Sequence, residues 1–446
     1  MGRGALSHAP PPLWLALPFA GLLISIALGP ILARRVWHVH YGKAAAFWAL
    51  LALALQAAML GPAPTAEAAL HALLTDYLPF MAMLFALYTA AGGIVVSDLA
   101  PARPRHNTAL LAAGTLAASL IGTTGASMVL IRPLLQANAT RQHKIHLVIF
   151  FIFLVANIGG ALSPLGDPPL FLGFLRGVDF FWPLRHLWPH WLLTAGLLLA
   201  IFFAVDTYFA RHEPKFAPGE APMRVRGLAN VALVGVAVAA IVISGVWRPG
   251  IAFDIFGTHL VLQNILRDGV LIAVGFISLA VTPQADRAAN HFSWAPIEEV
   301  AKLFAAIFIC IVPVMVLLAA KTDGPFAPVI ALLSRGDGAP NDAAYFWATG
   351  LLSSLLDNAP TYLVFFGLAG GDPAQLSGPL APTLAAISLG AVFMGALTYI
   401  GNAPNFMVYA LARRAHVPMP SFFGYLAWSG AILLPVFILV TALFFW

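Results

Sequence analysis

The sequence predicts an all-α polytopic membrane protein of about ten transmembrane helices plus two re-entrant hairpins, arranged as two inverted repeats with discontinuous helices. Three observations lead there. Of 446 residues, 61% are hydrophobic and 9% charged, whereas a soluble domain carries about 25% charged residues. Apolar runs near the ~20 residues that a spanning helix needs recur along the chain. Two interrupted apolar stretches and two Gly/Pro-rich strings repeat at a single offset of 235 residues.

This composition excludes an ordinary soluble enzyme, a nucleic-acid binder and a disordered regulator. The net charge of +5 is read as Lys and Arg placed in loops beside a membrane. The lipid bilayer is the expected partner, and no nucleic acid is expected. The lone cysteine, Cys310, lies in the apolar run 303–319. It allows neither an internal disulfide nor a cysteine metal site, and reads as a small buried apolar residue.

Taken in order, spanning helices are expected near 13–33, 44–61, 79–97, 147–171, 187–207, 228–246, 268–283, 299–319, 383–408 and 422–445. Arg3 followed by an apolar run resembles a secretory signal. The run is longer than the 7–15 residues of a signal core, and it ends in Gly29-Pro30 and Arg34-Arg35, so it reads as a retained first helix. The stretches 108–131 and 343–368 are broken at Gly122-Thr123-Thr124-Gly125 and at Asp357-Asn358-Ala359-Pro360. Each is one spanning helix or a re-entrant hairpin.

The positive-inside rule separates these options. With both stretches as hairpins and both termini outside, the inner segments are 34–43, 98–107, 132–146, 208–227, 284–302 and 411–420. They hold 16 of the 23 Lys and Arg residues. If 108–131 spanned, Arg103 and Arg105 would lie opposite Arg132, Arg141 and Lys144. The expected organisation is a first repeat, 1–227, with hairpin 108–136 and broken helix 147–171. The second repeat, 228–446, has hairpin 343–368 and broken helix 383–408.

The repeat itself is carried by polar, Gly and Pro positions. Ala118-Ser119-Leu120-Ile121 aligns with Ser353-Ser354-Leu355-Leu356, and the string from Ser163 to Pro169 aligns with that from Thr398 to Pro404. Inverted repeats with broken helices are the architecture of secondary transporters.

In hydrocarbon an unpartnered backbone polar group costs several kcal/mol, so helix breaks line protein cavities. Pro164, Pro168 and Pro169, with Gly159, Gly160 and Gly166, should break the first helix. Freed carbonyls and the side chains of Asn157, Ser163 and Asp167 then offer oxygens to a cation. Thr398, Asn402 and Asn405 offer the same in the second break. Ser119, Thr123 and Thr124 belong to the first hairpin; Ser354, Asn358 and Thr361 belong to the second.

Intramembrane carboxylates are costly and mark function. Asp167 sits in the first break and Asp357 at the second hairpin tip; their repeat mates are Asn402 and Gly122. Two acids sharing a midplane attract a cation. Desolvation and mutual repulsion make proton uptake by at least one compete with cation binding. Each also suits a helix N-cap. Arg132 and Lys302 are the cationic features closest to the apolar core, as snorkelling side chains or as charge partners. Glu299, with Glu298, favours the positive end of a helix. The histidines show no convincing zinc spacing, and no Walker loop, dinucleotide fingerprint or hydrolase elbow is present. No enzyme activity and no cofactor are expected.

The strings NIGGALSPLGDPPLFLGFLRG (157–177), SSLLDNAPTYLVFF (353–366) and TYIGNAPNFM (398–407) resemble bacterial members of the ion transporter superfamily, in the group of NhaD-like sodium/proton antiporters and citrate transporters. PIEEVAKLF (296–304) and TGASMVLIRPLL (124–135) fit the same group, and the resemblance runs from about residue 80 to the C-terminus. It implies two inverted repeats, each with a re-entrant hairpin and a discontinuous helix. It also implies a homodimer with a scaffold domain and a moving transport domain. Many relatives carry Ser-Asn-Thr at the hairpin tips; here the tips read GTTG and DNAPT, a departure that weighs against a dicarboxylate or citrate site. The expected function is sodium/proton exchange in a bacterial inner membrane, with sodium and protons competing for Asp167 and Asp357. The alternative is a carrier of citrate or another organic anion coupled to cations. A channel or a structural membrane protein is the rival class.

Overall fold

The computed structural model describes residues 12–97, 103–213 and 224–446. Arg3 and parts of the expected inner segments 98–107 and 208–227 lie outside the described residues.

After a 3-10 turn, Leu13–Ala16, α1 (Leu17–Leu32) starts with Pro18 in its first turn, where the missing amide costs nothing. α2 (Arg34–Leu60) stops at Gly61, whose φ of +90° suits glycine. α3 (Pro62–Ala72) and α4 (Leu78–Gly92) join through a π turn, Leu73–Tyr77, into one apolar helix, Pro62–Gly92. This span begins well before the expected residue 79, because its prolines lie in the first turn and do not interrupt it.

β1 (Val95–Ser97) leads to α5 (Pro104–Ile121) and α6 (Thr123–Ala137), which are separated by Gly122 alone. α7 (Ile145–Leu154) and α8 (Pro168–Leu175) flank the first Gly/Pro string. α9 (Trp182–Ala210), β2 (Arg224–Arg226) and α10 (Leu228–Val246) follow. β3 (Ala252–Ile255) and β4 (Thr258–Val261) form a hairpin before α11 (Leu262–Val281). α11 begins six residues earlier than expected, and it carries Arg267 and Asp268 because they pair with each other at 2.8 Å.

α12 (Gln284–Ala289), α13 (Ala295–Ala319) and α14 (Ala327–Leu332) precede the second interrupted stretch, α15 (Asp342–Leu355) and α16 (Asn358–Leu368). The short α17 (Pro373–Ser377), then α18 (Ala381–Phe393), α19 (Ala403–Arg414) and α20 (Phe422–Phe444), complete the chain.

Nine helices among the described residues are long and apolar enough to cross a membrane, and Ala381–Leu397 is a shorter apolar helix. The molecule is a mostly helical, multi-pass membrane protein. Among the described residues, two small antiparallel pairs, β1 with β2 and β3 with β4, and an isolated bridge between Ser334 and Pro340 depart from the expected all-helical chain. Pieces of three and four residues between helices leave too little hydrophobic alternation to be read from sequence.

Burial shows which helices are central. The span Ile145–Leu162 is buried over 89% of its length, against 22% for Val39–Leu60. Residues of α18 from Leu384 to Phe393 are likewise sealed from solvent. The two helices that run into the Gly/Pro strings are therefore wrapped by protein, while α2, α9 and α10 present apolar faces outward. Irregular backbone is placed where protein, not lipid, surrounds it.

Candidate functional site

Two breaks with the same local geometry meet at the centre. After α7, a 3-10 turn (Ile158–Leu162) gives way to extended backbone at Ser163 (φ −149°, ψ 159°), and extended Asp167 (φ −146°, ψ 145°) precedes α8. After α18, a 3-10 turn (Met394–Leu397) gives way to Thr398 (φ −134°, ψ 164°), and Asn402 (φ −154°, ψ 140°) precedes α19. The hydroxyls repeat too. Ser163 Oγ donates to the Ser119 carbonyl, and Thr398 Oγ1 donates to the Ser354 carbonyl at 2.5 Å. These carbonyls lie near the C-terminal ends of α5 and α15, where helical partners run out.

Glycine is required where each break doubles back. A Cβ on Gly166 would collide with the Gly160 carbonyl oxygen, and one on Gly401 would stand 2.7 Å from the Gly395 oxygen. Gly122, at φ +78°, makes the α5–α6 break, and the next amide, Thr123 N, donates to Gly166 O at 2.8 Å. The tip of the first interrupted stretch is thereby fastened to the first break.

Asp167 lies at the convergence and is 1% exposed. Its side chain makes no capping bond to α8. Oδ1 accepts from Thr123 Oγ1 at 2.9 Å and from Asn402 Nδ2 at 3.1 Å, and Oδ2 accepts from Asn358 Nδ2. The donors come from the first residues of α6 and α16 and from the residue preceding α19. With α8, four helix N-termini meet one carboxylate. Their partial positive charges favour an anion, which is how a buried carboxylate is tolerated with no basic partner among the described residues.

A ladder of asparagines supports it. Asn157 Nδ2 donates to Asn405 Oδ1 at 2.7 Å and to Ile152 O at 2.8 Å. Asn402 Nδ2 also lies 3.3 Å from Asn157 Oδ1 and 3.2 Å from Ala156 O. Asn405 Nδ2 donates to the carbonyls of Gly395 (2.8 Å) and Thr398 (2.9 Å). Each amide thus satisfies carbonyls that the breaks set free.

Asp357 is half-buried and caps α16, accepting from Ala359 N at 3.2 Å. It stands near enough to Asp167 for the two carboxylates to repel. Beside them, Asn358 Oδ1 is a buried oxygen with no hydrogen-bond partner, a ligand without a donor. A cavity of about 40 Å³ lies between α4 and the first tip, lined by Tyr88, Thr123, Thr124, Gly125 and Gly166. It has room for water.

The remaining expected residues are distributed as follows. Thr361 Oγ1 donates to the Asp357 carbonyl at 2.9 Å, Ser354 Oγ to the Leu351 carbonyl at 2.7 Å, and Ser119 Oγ to the Gly159 carbonyl at 2.5 Å. These hydroxyls secure backbone. Lys302 is exposed on α13, pairs with Glu298 at 2.5 Å and lies over the Tyr41 ring at 5.5 Å. Its charge is used within its own helix and not at Asp167. Glu299 is half-buried on the same helix. Arg132 is half-buried on α6, nine residues beyond Thr123. Among the described residues, no group of three or more His, Cys, Asp or Glu could hold a metal ion.

Besides Asp268, two buried acids away from the centre are held in ionic contacts that the sequence does not reveal. Asp206 on α9, fully sealed, accepts from Arg141 (2.5 Å), His146 (2.9 Å) and Asn107 (2.9 Å), and Asn138 bonds to Asn107 and Arg141. This ties the ends of α5 and α6 that lie away from Gly122 to α7 and α9. Asp76, on the π turn, pairs with Arg176 just beyond α8 at 2.9 Å. Both acids stand in or beside apolar runs, which was the available signal.

A multi-pass helical protein with two broken helices meeting at a buried carboxylate has the architecture in which secondary transporters place their binding sites. The family described as "putative citrate transport" matches residues 8–445, and the chain belongs to that family. It is also similar to an uncharacterized transporter of Mycobacterium bovis and to one of Mycobacterium tuberculosis, each 25% identical over 300 residues. The matched stretch spans 65% of this chain and 65% of each relative's length.

Proposed function

We propose that the protein is a secondary active transporter exchanging sodium for protons across a bacterial inner membrane. The observation that carries this reading is the Asp167 carboxylate, held by Thr123, Asn358 and Asn402 next to a second acid, Asp357. The surrounding groups are amides, hydroxyls and carbonyls, the hard oxygen ligands that suit an alkali cation. Among the described residues, Asp357 accepts only from amides at the start of α16. It therefore keeps free lone pairs for a proton or sodium ion, with Asn358 Oδ1 alongside. A proton and a sodium ion carry the same charge, so replacing one by the other leaves the field of the four helix ends balanced.

In this reading the pairs α5–α6 and α15–α16 are re-entrant hairpins. The halves 1–227 and 228–446 are inverted repeats, both termini lie outside, and the protein works as a homodimer. The 235-residue recurrence of Ser163–Ser119 as Thr398–Ser354 supports two repeats. The test is a pH-sensitive dye in proteoliposomes. A sodium pulse should move protons through the wild type and not through Asp167→Asn. Intact protein that moves no protons on sodium addition overturns the proposal.

The family description favours a second reading, an organic-anion carrier coupled to cations. Two acids at the centre oppose a bare tricarboxylate, so such a substrate would need its cations bound first. Labelled citrate uptake that requires sodium or a proton gradient would establish this reading over the first.

A further inference from the structure

We propose that Arg132 and Arg414 form a binding site for a phosphate group at the mouth of the α6–α19 seam. Helices α6 and α19 both start at the central carboxylate, through Thr123 and Asn402, and pack against each other. Met128 of α6 is buried in an apolar cluster with Tyr88 and Ile94, and the partly buried Met407 of α19 packs against that cluster. Arg132 lies one turn beyond Met128 on the same face of α6, and Arg414 lies two turns beyond Met407 on the same face of α19. At 1.5 Å per residue, both arginines stand roughly 14–18 Å from the helix starts. With the central carboxylate at the bilayer midplane, half the hydrocarbon thickness, about 15 Å, sets them at headgroup depth.

Among the described residues, the charges there have no acidic counterpart. Arg414 is close enough to Arg132 for the two guanidiniums to repel. Arg132 is half-buried, and its Nε–H is sealed from solvent without an acceptor. Among the described residues, neither arginine has a carboxylate partner. Arg414, in the last turn of α19, complements that helix end; Arg132 sits mid-helix and has no such role. Two unpaired guanidiniums at the edge of a low-dielectric region destabilise each other. An oxyanion between them removes the repulsion and supplies acceptors to both forks, and phosphate matches guanidinium geometry.

The phosphate belongs either to an anionic phospholipid or to a soluble ion, and one experiment separates the sources. Full-length protein is reconstituted in phosphatidylcholine nanodiscs with increasing phosphatidylglycerol, or in phosphatidylcholine alone with inorganic phosphate at constant ionic strength. Thermal unfolding is followed for wild type, Arg132→Gln and Arg414→Gln. The expected result is a midpoint that rises with phosphatidylglycerol in the wild type, with at least tenfold more lipid needed by either variant. A rise with inorganic phosphate alone, lost in both variants, assigns the site to the soluble ion. No rise in either arm for the wild type, or an equal rise in the variants, overturns the proposal. This site is independent of the ion-exchange reading, because its readout is ligand-dependent stability and involves no transport.

Discussion

Asn157 donates to Asn405 at 2.7 Å across 248 residues of chain, and so joins the first helix break to the first turn of α19. Both side chains are fully buried. Their remaining polar atoms are taken by Ile152 O, Asn402 Nδ2, Gly395 O and Thr398 O. The pair is a joint between the two halves as well as a cap for freed carbonyls.

Replacing either asparagine by leucine should therefore cost more than its own bond. Each change strands buried carbonyls, at about 1–3 kcal/mol. The double variant should lose less than the sum, with a coupling of about 0.5–3 kcal/mol. Thermal unfolding of the four proteins in one detergent checks this; strict additivity would dismiss the joint.

Asp167 and Asp357 should separate structure from transport. Asp167→Asn turns an amide toward the donors of Thr123, Asn358 or Asn402, and is expected to cost about 1–3 kcal/mol along with exchange activity. Asp357→Asn keeps an N-cap oxygen, and Asn caps about as well as Asp. It should unfold like the wild type yet fail in sodium-driven proton movement.

The glycine crossings give a graded series. Gly166→Ala drives a methyl into the Gly160 carbonyl, and Gly401→Ala places one 2.7 Å from Gly395 O. Overpacking of this kind costs about 1–3 kcal/mol, more at Gly166. Gly196→Ala in α9 meets no atom within 4 Å and should stabilise by up to about 1 kcal/mol. Melting temperatures of the three variants test the order.

Asp206 predicts the largest single loss. Arg141→Leu removes an ion-pair partner of a sealed carboxylate. Breaking a buried pair from one side costs about 3–5 kcal/mol. Expression and unfolding of Arg141→Leu, alone and combined with Asp206→Leu, measure it. The double variant should recover part of the loss.

The loop after α6 should open only in acid. Burial opposes the charge on Glu213, but hydrogen bonds from the amides of Gln142 and His143 and from the His143 ring outweigh it and hold this carboxyl below its ordinary value. A depressed carboxyl stabilises fully above the ordinary glutamate pKa, about 4.3. The contribution disappears as pH falls through the lower folded value. Protection of the Gln142 and His143 amides, measured relative to the intrinsic exchange rate at each pH, should thus stay high through neutral pH and fall in acid. Glu213→Gln should exchange faster at neutral pH and lose most of the acid-dependent change.

The repeat and its polar positions were legible because Gly, Pro, Asn and Asp are rare inside apolar runs. Their agreement at one shift placed Ser163 with Thr398 and Asp167 with Asn402 before any fold was known. The direct bonds of Asp167 to Asn358 and Asn402 were not legible, since contacts across 191 and 235 residues leave no local pattern. Asp206 was passed over because it ends an apolar run beside loop charges, where a solvated acid is ordinary. Lys302 looked central in an apolar helix, yet Glu298 four residues earlier gives it a partner on the same face.

The bonds of Asp167 also set a timetable for biosynthesis. Asn402 lies 235 residues downstream of the carboxylate it helps to hold. At about 5–20 residues per second, the ribosome needs roughly 10–50 s to make that stretch. Until Asn358 is made, 191 residues after Asp167, the central acid lacks two of its three donors. Final assembly of the centre is therefore post-insertional. Truncated nascent chains ending before Asn358 would be the form most exposed to membrane quality-control proteases.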